Sequence, residues 1–255
     1  MTKTKTSLRN WISMLFILCA GISSLTAKEA VAGKTILILV TGAAKMENGK
    51  PTGLWLEEFA VPYLAFTDAG YQVEVITPKG GAAPIDPRSK PTAEQAAAWK
   101  VAAQRLAKTK ALATVTTENF SAIFISGGHG VMFDLAGDPA ATKLIQEFDE
   151  QAKPIAAVCH GPAALVNVVK KDGTPLVKGR KVAAFTDSEE RAVKLVKDMP
   201  FLLETRLRKL GAKLETRDNF AVHAVRDGNL ITGQNPASSA ATAKLLIQAL
   251  SEDKK

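Results

Sequence analysis

Short apolar runs alternate along this chain with longer segments of helical spacing, beginning at Lys34. Thr35-Ile-Leu-Ile-Leu-Val40 carries no charge and reads as a buried strand. Leu54 to Ala69 places apolar residues near helical spacing, and Gly70 stops it as a C-cap. Tyr71-Gln-Val-Glu-Val-Ile76 alternates and predicts a second strand. A Gly/Pro-rich loop over Thr77–Lys90 follows, then an Ala-rich helical stretch over Thr92–Lys110 and a strand over Ser121–Ile125. Pro139–Gln151 predicts a helix, and Lys153–Val158 a strand that stops at Cys159. Beyond it the pattern predicts a strand at Lys181–Phe185 and helix over Ser188–Leu210, interrupted at Pro200. A strand pair, Phe220–Val225 and Asn229–Thr232, turns at Asp227-Gly228, and Ser238–Leu250 is a closing amphipathic helix. Such alternation implies an α/β fold: a doubly wound, mostly parallel sheet with helices on both faces. Residues 84–117 would form a small helical cap or insertion. Sites in these sheets lie at the carboxyl ends of strands, so Thr41–Ala44, Ser126–Gly130 and Cys159–Gly161 should converge on one crevice.

The first 27 residues differ in kind. Lys3, Lys5 and Arg9 precede an apolar run, Trp11–Ile22, too short for a comfortable membrane span, and Ser23–Ala27 is small and polar. This predicts a secretory signal peptide cut after Ala27, a single domain over 28–255, and a periplasmic or secreted protein with no membrane attachment after cleavage. An uncleaved N-terminal anchor is the alternative. Removing three basic residues and no acid lowers the formal charge from +8 to +5. The remaining basic residues are scattered, without zinc-finger spacing or aromatic stacking motifs, which argues against nucleic-acid binding. Cys19 lies in the apolar run, so the mature chain carries one cysteine, Cys159, and can form no internal disulfide.

Cys159 therefore stands out. It sits where an uncharged strand ends, with Pro162 suited to the first turn of a helix. That is a strand-to-helix elbow, which exposes a nucleophile and aims free N–H groups at it. A helix N-terminus would favour the thiolate and depress its pKa. A buried structural cysteine is the plainer alternative. Glu58, with Glu57 beside it, falls in a first helical turn, where acids ordinarily complement the dipole. Gly127 and Gly128 permit close backbone approach to a ligand, although a glycine pair serves any tight turn. Thr186-Asp-Ser-Glu-Glu190 could supply a carboxylate to orient His160, or could simply begin a helix with Asp187 or Ser188 as cap. His129, His160 and His223 lack a spacing that argues for a metal site.

Taken together these residues resemble the ThiJ/PfpI family of the class I glutamine amidotransferase-like superfamily, in its heat-shock chaperone and glyoxalase III branch. The motifs run from Gly53-Leu-Trp-Leu-Glu-Glu58 with Pro62 and Asp68-Ala-Gly70, through Pro78-Lys-Gly-Gly81 and Ile85-Asp-Pro-Arg-Ser89. They continue with Gly127-Gly-His-Gly130 and Asp134-Leu135, Ala157-Val-Cys-His-Gly-Pro162, Pro200-Phe-Leu-Leu-Glu204 and Asn229-Leu-Ile-Thr-Gly-Gln-Asn-Pro236. The resemblance implies a flavodoxin-like sheet. It places the nucleophile on Cys159, the catalytic histidine on His160, the acid beside the thiol on Glu58 and the third triad member on Glu190, with Asp187 as runner-up. Gly128 and His160 would supply the oxyanion amides, with Gly127 and His129 lining the substrate site.

It further implies a homodimer with no metal or organic cofactor. The activity implied is a glutathione-independent glyoxalase or related deglycase acting on a small 2-oxoaldehyde or glycated substrate. A holdase chaperone binding unfolded proteins through Phe59, Phe66, Phe133 and Phe201 is one alternative. A Cys-His peptidase or amidase is the other.

Overall fold

The computed structural model describes residues 34–252, so the predicted signal segment and its cleavage at Ala27 lie outside the described residues. The chain begins with β1 (Thr35–Leu39), α1 (Leu56–Asp68) and β2 (Gln72–Thr77). Two short helices, α2 (Ala93–Ala98) and α3 (Lys100–Arg105), lead to β3 (Lys110–Ala111) and β4 (Ala122–Ile125). Then come α4 (Val131–Asp134), α5 (Pro139–Glu150), β5 (Ile155–Val158) and β6 (Lys181–Val182). Finally α6 (Asp187–Ala192), α7 (Leu203–Lys209), β7 (Lys213–Leu214), β8 (Ala224–Asp227), β9 (Leu230–Gly233) and α8 (Ser239–Glu252) complete the described chain.

Seven strands form one sheet in the order β3-β2-β1-β4-β5-β9-β8. All neighbouring pairs are parallel except the β8–β9 hairpin. Side chains along a strand alternate between faces, and β1 shows the result. Ile36 and Ile38 enter one core with Phe59 and Phe66 of α1 and Leu246 of α8. Leu37 and Leu39 enter the other with Leu144, Ile145 and Phe148 of α5. Burying one such side chain is worth about 1.5–3 kcal/mol, whereas an exposed pair such as Lys110–Glu74 contributes about 0–1 kcal/mol. The two apolar layers hold the fold. Phe59 and Phe66 are fully buried in one of them, so neither offers the exposed apolar surface expected of a holdase.

Four elements differ from the pattern read in the sequence, the first being the Ser188–Leu210 stretch, whose opening helix ends at Ala192, well before Pro200. The Thr92–Lys110 stretch is not one helix: it breaks at Trp99 into α2 and α3, and Lys110 joins the sheet edge in β3. Trp99, Ala102 and Leu106 turn inward beneath α1, which sets the break. Lys181–Phe185 forms a ladder only over its first two residues. That ladder pairs with β7 outside the main sheet, a partner too short to show in the pattern. The last hairpin begins at Ala224 rather than Phe220, because Asn235 and Ser238 side chains hold Ala221 and His223 as loop. Among the described residues no helix is long and apolar enough to cross a membrane.

Candidate active site

β5 lies between β4 and β9, and Cys159 is the first residue beyond its carboxyl end. Its backbone is pinned on both sides: its N–H donates to Gly233 O at 2.9 Å, and its carbonyl accepts from Phe185 N at 2.9 Å. Between these anchors Cys159 takes φ 59°, a left-handed conformation that costs a non-glycine residue about 1–3 kcal/mol. The elbow is present. The expected α-helix after it is not: Gly161–Leu165 forms a 3₁₀ helix with Pro162 in its first turn. Close packing limits it, since a Cβ on Gly161 would overlap the Ile125 carbonyl. A five-residue 3₁₀ turn supplies little macrodipole. Burial pushes the Cys159 thiol up, and the charge and hydrogen bond of Glu58 add to this, against the Gly128 N–H, which lowers it. The depressed pKa expected from a helix N-terminus is not what this elbow supplies.

Glu58 lies in the first turn of α1, fully buried rather than on a solvated face, while Glu57 beside it is half-buried. Neither Glu58 oxygen completes a hydrogen bond of good geometry. Burial raises its pKa well above the carboxylate range, only partly offset by the Cys159 thiol and the Gly127 N–H. Gly127 exists here for space: a Cβ would overlap Glu58 Oε2 and the Val158 carbonyl and crowd the His160 N–H. Gly128, at φ 93°, brings its N–H to the Cys159 sulfur. The pocket therefore holds two acids whose charged forms disfavour one another, and burial favours the protonated form of each.

His160 accepts from the Cys159 thiol through Nδ1 at 3.3 Å, and its Nε2 meets Glu190 Oε2 at 2.8 Å. Glu190 is thus the carboxylate that meets His160, where the resemblance puts the third triad member. The runner-up, Asp187, is engaged elsewhere, with the hydroxyl of Thr205 and the backbone of α7. The helix cap is neither Asp187 nor Ser188 but Thr186, which forms a capping box with Glu189. That box turns Glu189 back toward the helix start and leaves Glu190, about 100° round, facing the histidines.

His129, assigned to the substrate site, is buried beside the triad: its Nε2 meets the other oxygen of Glu190 at 3.0 Å, and its ring lies 4.1 Å from that of His160, centroid to centroid. Burial opposes charge on Glu190, but the two histidine N–H groups outweigh it and hold the carboxyl well below its usual range. Phe185 closes the far side, 4.5 Å from the His160 ring. The Thr41–Ala44 loop stands one step back. Thr41 and Gly42 bond Asp134 rather than the nucleophile.

Three participants were missed in the sequence. Arg88, paired with the buried Asp86, faces His129 Nδ1 at 3.4 Å. Glu189 binds Phe220 N, Gln234, Asn235 and Thr186, tying the 216–221 loop to the base of α6. The Ile85-Asp-Pro-Arg-Ser89 and Asn229–Pro236 motifs contain most of these residues, but neither pattern says which carboxylate they serve. His129, His160 and Glu190 offer ligand atoms within 4.8 Å of one another, the donor types of a two-histidine, one-carboxylate metal centre. The proton placement works against that use. A guanidinium can only donate, so the Arg88 contact favours a lone pair on His129 Nδ1 and leaves the proton to Nε2, the nitrogen a metal would need.

A family model for the DJ-1/PfpI family matches residues 52–249, which include every residue of this cluster. The chain belongs to the DJ-1/PfpI family. Among its relatives in that family, the glutathione-independent glyoxalase HSP31 of Saccharomyces cerevisiae is 28% identical over 244 residues, covering 86% of this chain and 99% of that protein. The protein/nucleic acid deglycase HchA of Pseudomonas aeruginosa is 28% identical over 241 residues, covering 86% of this chain and 82% of that protein. The solved structure of glyoxalase III from Candida albicans superposes with a TM-score of 0.76 at 26% identity, covering 85% of this chain and 97% of that one. The mostly parallel seven-strand sheet with helices around it is the fold of this DJ-1/PfpI family.

The buried histidine of this DJ-1/PfpI site makes stability depend on pH. Burial, and then the nearby His160, lower His129 from 6.5 to about 4 despite Glu190. Between those values the unfolded chain binds the proton that the folded chain refuses, so stability is complete above about pH 6.5 and falls on acidification. The loss by pH 4 should be about 3 kcal/mol. Glu190, depressed when folded, extends the decline below the usual carboxylate range. Denaturant unfolding at a series of pH values from 7 to 4 checks this: His129→Asn should start less stable but lose less over the window.

Proposed function

We propose that the chain is an enzyme converting small 2-oxoaldehydes, methylglyoxal among them, to 2-hydroxy acids without glutathione, or acting on the related glycated carbonyls. The observation that carries this reading is Glu58, a fully buried carboxyl that faces the Cys159 thiol and completes no hydrogen bond of good geometry. Hydrolysis needs the nucleophile, histidine and acid alone; moving hydrogen between adjacent carbons needs an additional acid–base group at the thiol. The names of the relatives, glyoxalase and deglycase, support the same class. Cys159 is only 3% exposed, which favours a small substrate over a polypeptide.

The reaction follows from where protons are held. His160 Nδ1 takes the thiol proton, and Glu190 stabilises the imidazolium. The sulfur attacks the aldehyde carbon, and the C=O pair moves to an oxygen facing the Gly128 and His160 amides. Glu58 gives its proton to that oxygen and becomes a carboxylate beside the former aldehyde C–H. It removes that hydrogen as a proton, and the electron pair forms the enediol, whose second oxygen takes the proton from His160. Glu58 then delivers its proton to the neighbouring carbon and recovers one from the first hydroxyl, leaving a thioester. Water, deprotonated by His160, cleaves the thioester to the 2-hydroxy acid and restores the thiol. Cys159 supplies the sulfur that glutathione would otherwise provide.

Turnover of methylglyoxal by purified mature protein, with Cys159→Ala as the inactive control, tests the reading. Glu58→Gln should retain fold and thiol labelling while turnover falls about 10²–10⁴-fold. Glu57→Gln, on a side chain about 100° away, should leave it nearly unchanged. Equal behaviour of the two variants would remove Glu58 as the base. Release of amide or peptide products, or aggregation suppression that survives Cys159→Ala with no turnover, would replace the reading with hydrolase or holdase.

The location we propose is the periplasm or exterior, from the basic and apolar N-terminal run. Mass spectrometry of the expressed protein should find a chain beginning near Lys28. An intact Met1 terminus in the cytoplasm overturns this.

A further inference from the structure

The turn Ile85–Ser89 belongs to the segment between β2 and β4, remote in sequence from every triad residue, yet it contacts both halves of the site. Asp86 is fully buried and accepts from Thr52 Oγ1, from Arg88 N and from Arg88 Nε and Nη2. Burial opposes its charge, but the Arg88 hydrogen bonds prevail and its pKa is lowered. The two-pronged pairing fixes the guanidinium plane. Its Nη2 then faces His129 Nδ1 at 3.4 Å. On the same turn Ser89 Oγ accepts from Leu56 N at 2.6 Å, two residues before Glu58. Asp86 N donates to Leu54 O at 2.9 Å, and Gly53 leaves no room for a Cβ against Pro84 and Asp86.

We propose that Arg88, held by Asp86, is a positioning residue for the triad: it fixes the proton of His129 on Nε2, where it is donated to Glu190. Arg88 cannot accept a hydrogen bond, so Nδ1 must present its lone pair. With one oxygen occupied by His129, Glu190 keeps the other aimed at His160 Nε2, and His160 keeps Nδ1 free for the thiol. Were the His129 proton on Nδ1, it would face a donor, and a bare Nε2 would face a carboxylate. Both contacts would repel, and Glu190 would swing from His160. The relay thus runs Asp86–Arg88–His129–Glu190–His160–Cys159. Its effect on turnover rests on the carbonyl chemistry proposed above; the proton placement does not.

The test combines nitrogen-15 NMR of histidine-labelled full-length mature protein at pH 7 with kinetics. His129 should show the Nε2–H tautomer with a bare Nδ1. An Nδ1–H tautomer in the wild type overturns the inference without any variant. Arg88→Met should mix the tautomers and lower kcat for methylglyoxal roughly 10- to 100-fold with little change in KM. Arg88→Lys, which keeps a donor but not the fixed plane, should recover part of the loss. If Arg88→Met fails to fold because Asp86 is left unpaired, the double variant Asp86→Asn/Arg88→Met removes the buried charge and carries the same expectation. A wild-type tautomer and wild-type kcat in the substituted protein would overturn the assignment. A wild-type protein inert toward methylglyoxal sinks the glyoxalase reading alone, and the tautomers still decide the role of Arg88.

Discussion

Two acids, Glu58 and Cys159, share one buried pocket that disfavours charge on either, and most of the site is arranged around that restriction. Glu58 is fully buried with no partner of good geometry, so its neutral form is the stable one beside any thiolate. The glycines follow from the same crowding. A side chain at position 127 would occupy the space of the Glu58 carboxyl, and one at 128 would collide with the backbone of Trp55 and Gly53. Charge is instead gathered one layer back, on Glu190, where two histidine N–H groups and no competing acid receive it. An imidazole thus separates the permanent anion from the thiol, which keeps a second charge out of the thiol's own pocket.

The sheet makes this arrangement possible because it brings residues distant in sequence to adjacent strand ends. β4 delivers Gly127, Gly128 and His129, β5 delivers Cys159 and His160, and the chain after β6 delivers Glu190. Glu58 arrives from α1, which packs on one face of the sheet through Phe59 and Phe66. Displacement of any one layer would separate groups that now lie about one hydrogen bond apart.

Much of this is legible in the sequence. Uncharged runs such as Ile36–Leu39 and Ile155–Val158 announce strands buried on both faces, and the elbow at Cys159 follows from where its run ends. Motif resemblance puts Glu190 before Asp187 but leaves both open, and only the contact of Glu190 with His160 distinguishes them. What stayed hidden depends on tertiary contact. Nothing in Gly127-Gly-His-Gly130 says that the His129 ring meets Glu190, 61 positions on. Arg88 lay unremarked in a turn motif. The thiol pKa was misjudged because local sequence suggested a helix dipole, whereas burial and Glu58 dominate. The Lys213–Leu214 ladder was missed because two residues carry no period to detect.

The left-handed backbone at Cys159 separates chemistry from stability at a single position. Alanine there removes sulfur but inherits the same steric penalty, because the ladder to Gly233 and the bond from Phe185 still dictate the dihedral. Glycine would remove both sulfur and strain. The thiol is therefore mounted on a loaded hinge of backbone, and the most relaxed residue for that post is one that can do no chemistry at all.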